Sequence, residues 1–134
     1  MEREQLKRIF DFLEKKEQQN SPLKWKLINN IPLTEEELNV KGNLDLYDTE
    51  LTSLPKGLKV GGSLYLSDTK ITSLPEGLKV GGSLYLSHSK IESLPKGLKV
   101  GGNLYIRNSE LKKYTDDELR EMIQPGFIKG KILR

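Results

Sequence analysis

His88 is the only histidine of this 134-residue chain, and there is no cysteine. Metal binding and nucleophilic catalysis both need several such groups at set spacings. His88 has only Asp68 and Asp48 at corresponding places in neighbouring segments, which makes neither a ligand set nor a nucleophile–base pair. The run Gly57-Leu58-Lys59-Val60-Gly61-Gly62-Ser63 approaches a phosphate-binding G-x-x-x-x-G-K-[ST] loop, but glycine stands where the lysine should be. The same run returns every 20 residues, as a structural corner would. No serine lies in a G-x-S-x-G turn. The expectation is a protein without catalysis, metal or cofactor, in which His88 is an ordinary exposed residue.

Recognition is better supplied than catalysis. Tyr65, Tyr85 and Tyr105 recur at the same period, and so do Lys59, Lys79 and Lys99. Both sets belong to three near-identical segments beginning at Leu51, Ile71 and Ile91; the first two agree at 16 of 20 positions and the last two at 13 of 20. A fixed period of this kind marks a stacked repeat, in which each unit buries its apolar side against its neighbours.

Within a segment the apolar residues are Leu51, Leu54, Leu58, Val60, Leu64 and Leu66. Ser63 to Ser67 alternates polar with apolar, the pattern of a strand with one face inside, so one short strand is expected per rung. Gly61-Gly62 precedes it, where a corner needs positive φ or no side chain, and Leu54-Pro55 marks a second corner. Ile31 to Glu50 is a worn first rung, with Ile31, Leu38, Val40, Leu44 and Leu46 in phase, Lys41-Gly42 for the glycine pair, and a Thr34-x-x-Glu37 capping box.

Leu64-x-Leu66-x-x-Thr69-x-Ile71-x-x-Leu74-Pro75 resembles the core of the leucine-rich repeat family, in the short 20-residue form of bacterial and phage proteins. The resemblance covers Ile31 to about Leu111 and implies a mainly β repeat solenoid with helical caps; the alternative fold is a parallel β-helix, which needs a further strand at Leu58 to Val60. The family's asparagine is replaced by Thr49, Thr69, Ser89 and Ser109. The domain reading is a cap over 1–30, four repeats over 31–110, and a cap helix with tail over 111–134.

The caps follow from local pattern. Leu6, Ile9, Phe10 and Leu13 give Glu2–Gln19 an amphipathic helical stripe. Asn20-Ser21-Pro22 breaks it, and Leu23 to Leu27 reads equally as strand or short helix, with Trp25 as cap packing. At the other end, Thr115-x-x-Glu118 is a capping box opening a helix with Leu119, Met122 and Ile123, ended by Pro125-Gly126. Phe127 to Arg134 is expected to fold back over the last rung.

Alternation places Asn43, Ser63, Ser83 and Asn103 in one outward column, Asp45, Tyr65, Tyr85 and Tyr105 in the next, and Tyr47, Ser67, Ser87 and Arg107 in a third. The stacked tyrosines, widened by Tyr47 and bounded by Asp45 and Arg107, form the candidate binding face for a protein partner. The same ladder also stabilises a sheet without any ligand. Lys59, Lys79 and Lys99 form a second column, either a solvated guard against sheet pairing or an anion-binding edge. Net charge is +3, divided as +2 over 1–30, −1 over 31–110 and +2 over 111–134, which leaves the repeat surface near neutral.

These features lead to a non-enzymatic protein-binding module, expected to be a cytoplasmic monomer, since no signal-type leader or membrane-length apolar run is present. By analogy with the short bacterial and phage arrays, a small effector inhibiting a host defence system, anti-CRISPR-like, is the alternative. A nucleic-acid or glycan binder is the second alternative, its tyrosines stacking on bases or sugar rings beside the lysines.

Overall fold

Leu51, Leu54, Leu58, Val60, Leu64 and Leu66 all turn inward, as do their counterparts in the next two segments, and together they form one continuous core. The computed structural model describes residues 22–134. The amino-terminal helix expected over Glu2–Gln19 lies outside them. After α1 (Pro22–Ile28) and the single turn α2 (Glu35–Leu38), the chain lays down strands in pairs. These are β1 (Asn39–Val40) with β2 (Leu44–Asp45), β3 (Lys59–Val60) with β4 (Leu64–Tyr65), β5 (Lys79–Val80) with β6 (Leu84–Tyr85), and β7 (Lys99–Val100) with β8 (Leu104–Tyr105). A 3-10 turn (Glu110–Lys113), α3 (Asp116–Met122), β9 (Phe127–Ile128) and β10 (Ile132–Leu133) complete it.

The odd-numbered strands make one five-stranded parallel sheet and the even-numbered strands another. The chain is thus a β-solenoid. Each rung carries two strands, not the one expected, because Leu58-Lys59-Val60 is itself an alternating segment whose apolar residues are buried. The strand that the β-helix alternative needs is present.

Glycine pairs make the corner between the sheets by close approach, not by positive φ. Gly81 donates its N–H to Val60 O at 2.7 Å, and a Cβ on it would sit 2.3 Å from Gly61 O. Positive φ falls instead at Gly57, Gly77 and Gly97. In the last rung Lys129 takes the place of the first glycine, and its N–H bonds Val100 O at 2.9 Å.

Two polar ladders reinforce the stack. Asn43, Ser63, Ser83 and Asn103 accept, through their side chains, the main-chain N–H of Ser63, Ser83, Asn103 and Lys131, at 2.8 to 3.1 Å. The hydroxyls of Thr49, Thr69, Ser89 and Ser109 stay within their own rungs, donating to Leu46 O, Leu66 O, Leu86 O and Ile106 O at 2.6 to 2.8 Å. Each tightens the turn that follows its strand. None ties one rung to the next.

Both ends bear helices. In α1, Leu27 is 3% exposed while Trp25 is 53% exposed. Two helical positions are about 200° apart, so burying Leu27 and partly burying Leu23 turns Trp25 outward, against the expected cap packing. Both capping boxes form: Thr34 with Glu37 and Thr115 with Glu118. Lys26 reaches Glu37 Oε2 at 2.5 Å, an ion pair that draws the Glu37 carboxyl below its usual range. The tail does not fold back over the last rung. β9 pairs with β7 and β10 with β8, both parallel, so the tail adds a fifth rung.

Arg120 closes that end. At the corner that follows each first-sheet strand, two N–H groups bond carbonyls of the rung before, for example Lys129 to Val100 O and Gly130 to Gly102 O. The final carbonyls in this series are Ile128 O and Gly130 O. Arg120 donates Nη1 to the former at 2.6 Å and Nη2 to the latter at 2.9 Å, doing the work of two amides.

Two stability measurements check this account. Gly81→Ala should cost about 3 kcal/mol in chemical denaturation, because backbone opposes the new methyl. Gly77→Ala, at φ +74° with open space around it, should cost about 1 kcal/mol, and Gly42→Ala, with nothing within 4 Å, should cost nothing measurable. Arg120→Leu should destabilise by about 2 to 3 kcal/mol and speed amide exchange over Phe127–Leu133. Arg120→Lys should recover less than half of that, since an ammonium cannot span both carbonyls.

Candidate functional site

The tyrosine column begins with backbone register. Asp45 lies opposite Tyr65, Tyr65 opposite Tyr85, Tyr85 opposite Tyr105, and Tyr105 opposite Leu133. Main-chain bonds between the strands hold this register: Leu66 N–H donates to Tyr85 O at 2.9 Å and Leu86 N–H to Tyr105 O at 2.8 Å. Strands in a sheet repeat at about 4.8 Å, close to the contact distance of aromatic rings. The same rotamer on each rung therefore yields a stack. Ring centroids are 4.5 Å apart for Tyr65 and Tyr85 at 10°, and 4.4 Å for Tyr85 and Tyr105 at 3°.

This stack has a chemical consequence. Both faces of the Tyr85 ring are covered by its neighbours, so Tyr85 offers a partner only its edge and hydroxyl. A base or sugar ring could stack only on the outer face of Tyr65 or Tyr105. What the column presents is a half-buried row of three phenols, backed by a sheet, with Asp45 at one end and Leu133 at the other.

Tyr47 lies one column over, as alternation places it, 55% exposed, its N–H donating to Asp45 Oδ1 at 3.0 Å. Arg107 is exposed in that same column, beside Tyr105 and not beyond it. Asn43, Ser63, Ser83 and Asn103, which alternation places outward with the tyrosines, spend their acceptors on the next rung's amides. The clue in the sequence is that only short acceptors stand directly after the glycine corner.

His88 has a local reason to be where it is. Asp48, Asp68, His88 and Asn108 all adopt positive φ, between 52° and 58°, and Asn, Asp and His are the side chains that best tolerate that region. Its Nδ1 lies 3.4 Å from Asn108 Nδ2 in the next rung. Among the described residues no three His, Cys, Asp or Glu side chains gather to hold a metal. In the glycine corners the N–H groups of Gly81 and Gly82 bond Val60 O and Gly62 O, so they are not free to cradle a phosphate.

The lysines form their column on the other sheet. Lys59, Lys79 and Lys99 stand in register and exposed, with Asn39 before them and Phe127 after. No helix among the described residues is long and apolar enough to cross a membrane.

Burial between its neighbours, then the charges that Tyr105 and Tyr65 would carry, push the Tyr85 hydroxyl above the usual phenol range. With the folded-state pKa raised, the folded protein holds a proton that the unfolded chain releases first. The associated stability is complete below the ordinary phenol pKa of about 10 and is lost as pH rises through the folded value. In an ultraviolet titration the last phenol to ionise should be absent from Tyr85→Phe, whose alkaline loss of stability should also be smaller. An unchanged final phase would contradict the stacked arrangement.

No protein-family model, no curated protein and no solved structure matches this chain.

Proposed function

We propose that the chain is a non-enzymatic binding module and that its partner is a protein, held on the sheet of β2, β4, β6, β8 and β10 with Tyr85 at the centre. The observation that supports this is the stacked row Tyr65, Tyr85 and Tyr105. Tyrosine is favoured at interface centres, where a large ring and a polar tip bind together. Stacking has already fixed the side-chain torsions, so little rotamer entropy remains to be lost on association. With both ring faces of Tyr85 covered, the free groups at the centre are its hydroxyl and ring edge, which suit backbone carbonyls and mixed polar and apolar side chains better than flat aromatic ligands. Asp45 at one end and Tyr47 and Arg107 in the column beside supply a polar rim.

The rungs carry the apolar core pattern of leucine-rich repeats, with a buried hydroxyl where asparagine stands in that family. We place the chain among them, as a short form in which a second parallel sheet occupies the side opposite the tyrosine strands. Stacked repeats build extended surfaces that such proteins use for binding, which agrees with a ligand face on the strands.

The test is an affinity pull-down from the native host, repeated with Tyr85→Ala and with Lys59, Lys79 and Lys99 all changed to Glu. Tyr85→Ala should weaken capture by about 30-fold, or about 2 kcal/mol, and Tyr47→Ala by much less. The lysine variant should retain the partner. Retention by Tyr85→Ala together with loss by the lysine variant would overturn the assignment.

A further inference from the structure

We propose a second binding surface on the opposite sheet, formed by Lys59, Lys79, Lys99 and Phe127, that takes a short run of single-stranded nucleic acid. It goes beyond the protein-binding role and depends on none of the tyrosines.

Parallel register aligns these four residues on β3, β5, β7 and β9. At about 4.8 Å between strands the three side chains leave the sheet in a row whose like charges repel one another weakly in water. Two lysines elsewhere are paired, Lys26 with Glu37 and Lys70 with Glu50 at 2.6 Å. Among the described residues no carboxylate lies within ion-pair distance of the three. Glu35 lines the same cleft as Lys59 at one end of the row, and the flanks beside the row carry no side chains. Gly57, Gly77 and Gly97 run along one flank and Gly61, Gly81 and Gly101 along the other, so the lysines rise from a strip with bare backbone on both sides.

An anionic polymer relieves the repulsion, and its repeating charges match a repeating row. Phe127 selects the kind of polymer. It is 40% exposed in the place where a fourth lysine would continue the column, and Lys129 Nζ lies 5.3 Å from its ring centroid. A row of cations ending in an aromatic platform is the combination that holds single strands, with phosphates on the cations and a base on the ring. An acidic polypeptide would use the lysines and leave the ring idle. The distance from Lys59 to Phe127 is about 14 Å, enough for two or three nucleotides of an extended strand.

Fluorescence anisotropy of the full chain with a labelled eight-residue oligothymidylate, between 50 and 200 mM NaCl, tests this. Three phosphate contacts predict a slope of log affinity against log salt of about −2. Changing the three lysines together to Gln should weaken binding at least tenfold and flatten the slope, and the same change to Glu should abolish binding. Phe127→Ala should weaken binding several-fold with the slope unchanged, and Tyr85→Ala should bind as the parent does, which separates this surface from the protein-binding face. Circular dichroism confirms that each variant is folded. No binding at 50 mM salt, binding indifferent to the Gln variant, or polyglutamate of equal charge competing as well as unlabelled oligonucleotide would each overturn the proposal.

Discussion

In-register parallel pairing at a 20-residue period is the constraint on which everything else in this molecule rests. Val60 faces Val80 and Val80 faces Val100, while Leu64 faces Leu84 and Leu84 faces Leu104. A one-residue slip would turn every inward leucine to water, so the core enforces the register it depends on. Register then converts a repeated residue into a column. For tyrosine the column is favourable, because strand spacing and ring contact distance nearly coincide. For lysine it is unfavourable by a small amount that water screens. The two columns are outcomes of one geometric rule acting on different side chains.

That rule also sets where side chains must be missing. Rungs meet at the glycine corner backbone to backbone, with N–H to O distances of 2.7 to 2.9 Å at Gly81, Gly82, Gly101 and Gly102. The corner separates the tyrosine sheet from the lysine sheet and gives them different outward directions. Next to it, short acceptors at Asn43, Ser63, Ser83 and Asn103 fasten each rung to the following one. On the inner side, the hydroxyls of Thr69, Ser89 and Ser109 are buried yet satisfied by carbonyls three residues back, and no buried side-chain polar atom among the described residues lacks a partner. Burying a hydroxyl without such a bond would cost about 1 to 3 kcal/mol at every rung.

A stack of parallel strands leaves main-chain donors and acceptors without a neighbouring rung at each end. The carboxy-terminal end of the lysine sheet presents carbonyls, and a forked cation suits two of them at once. Arg120 comes from α3, which is inserted between the fourth rung and the last; the chain thus leaves the stack, builds the closing group, and returns to make the rung that this group covers. Arg134 fastens the tail from the other side, through Tyr114 O and Asp116 Oδ1, each at 2.7 Å.

Much of this was legible in the residues. Periodicity is a local property of the string, so the 20-residue rungs, the inward positions and the two capping boxes could be found without coordinates. The tyrosine column followed from alternation alone. What sequence could not decide were relations between segments. Whether Leu58 to Val60 was a strand depended on a neighbour 20 residues away offering it a partner. Whether Phe127 to Arg134 lay over the last rung or continued it depended on α3 absorbing the extra residues between the rungs. The fate of the asparagine and serine column depended on which backbone amides came within reach. The sequence by itself determined the unit and its period, because burial of a leucine pattern is a demand each rung carries within it. Only the tertiary structure decided which polar groups the stack consumes internally and which remain for a partner, because hydrogen bonds between rungs exist only once the rungs are placed together.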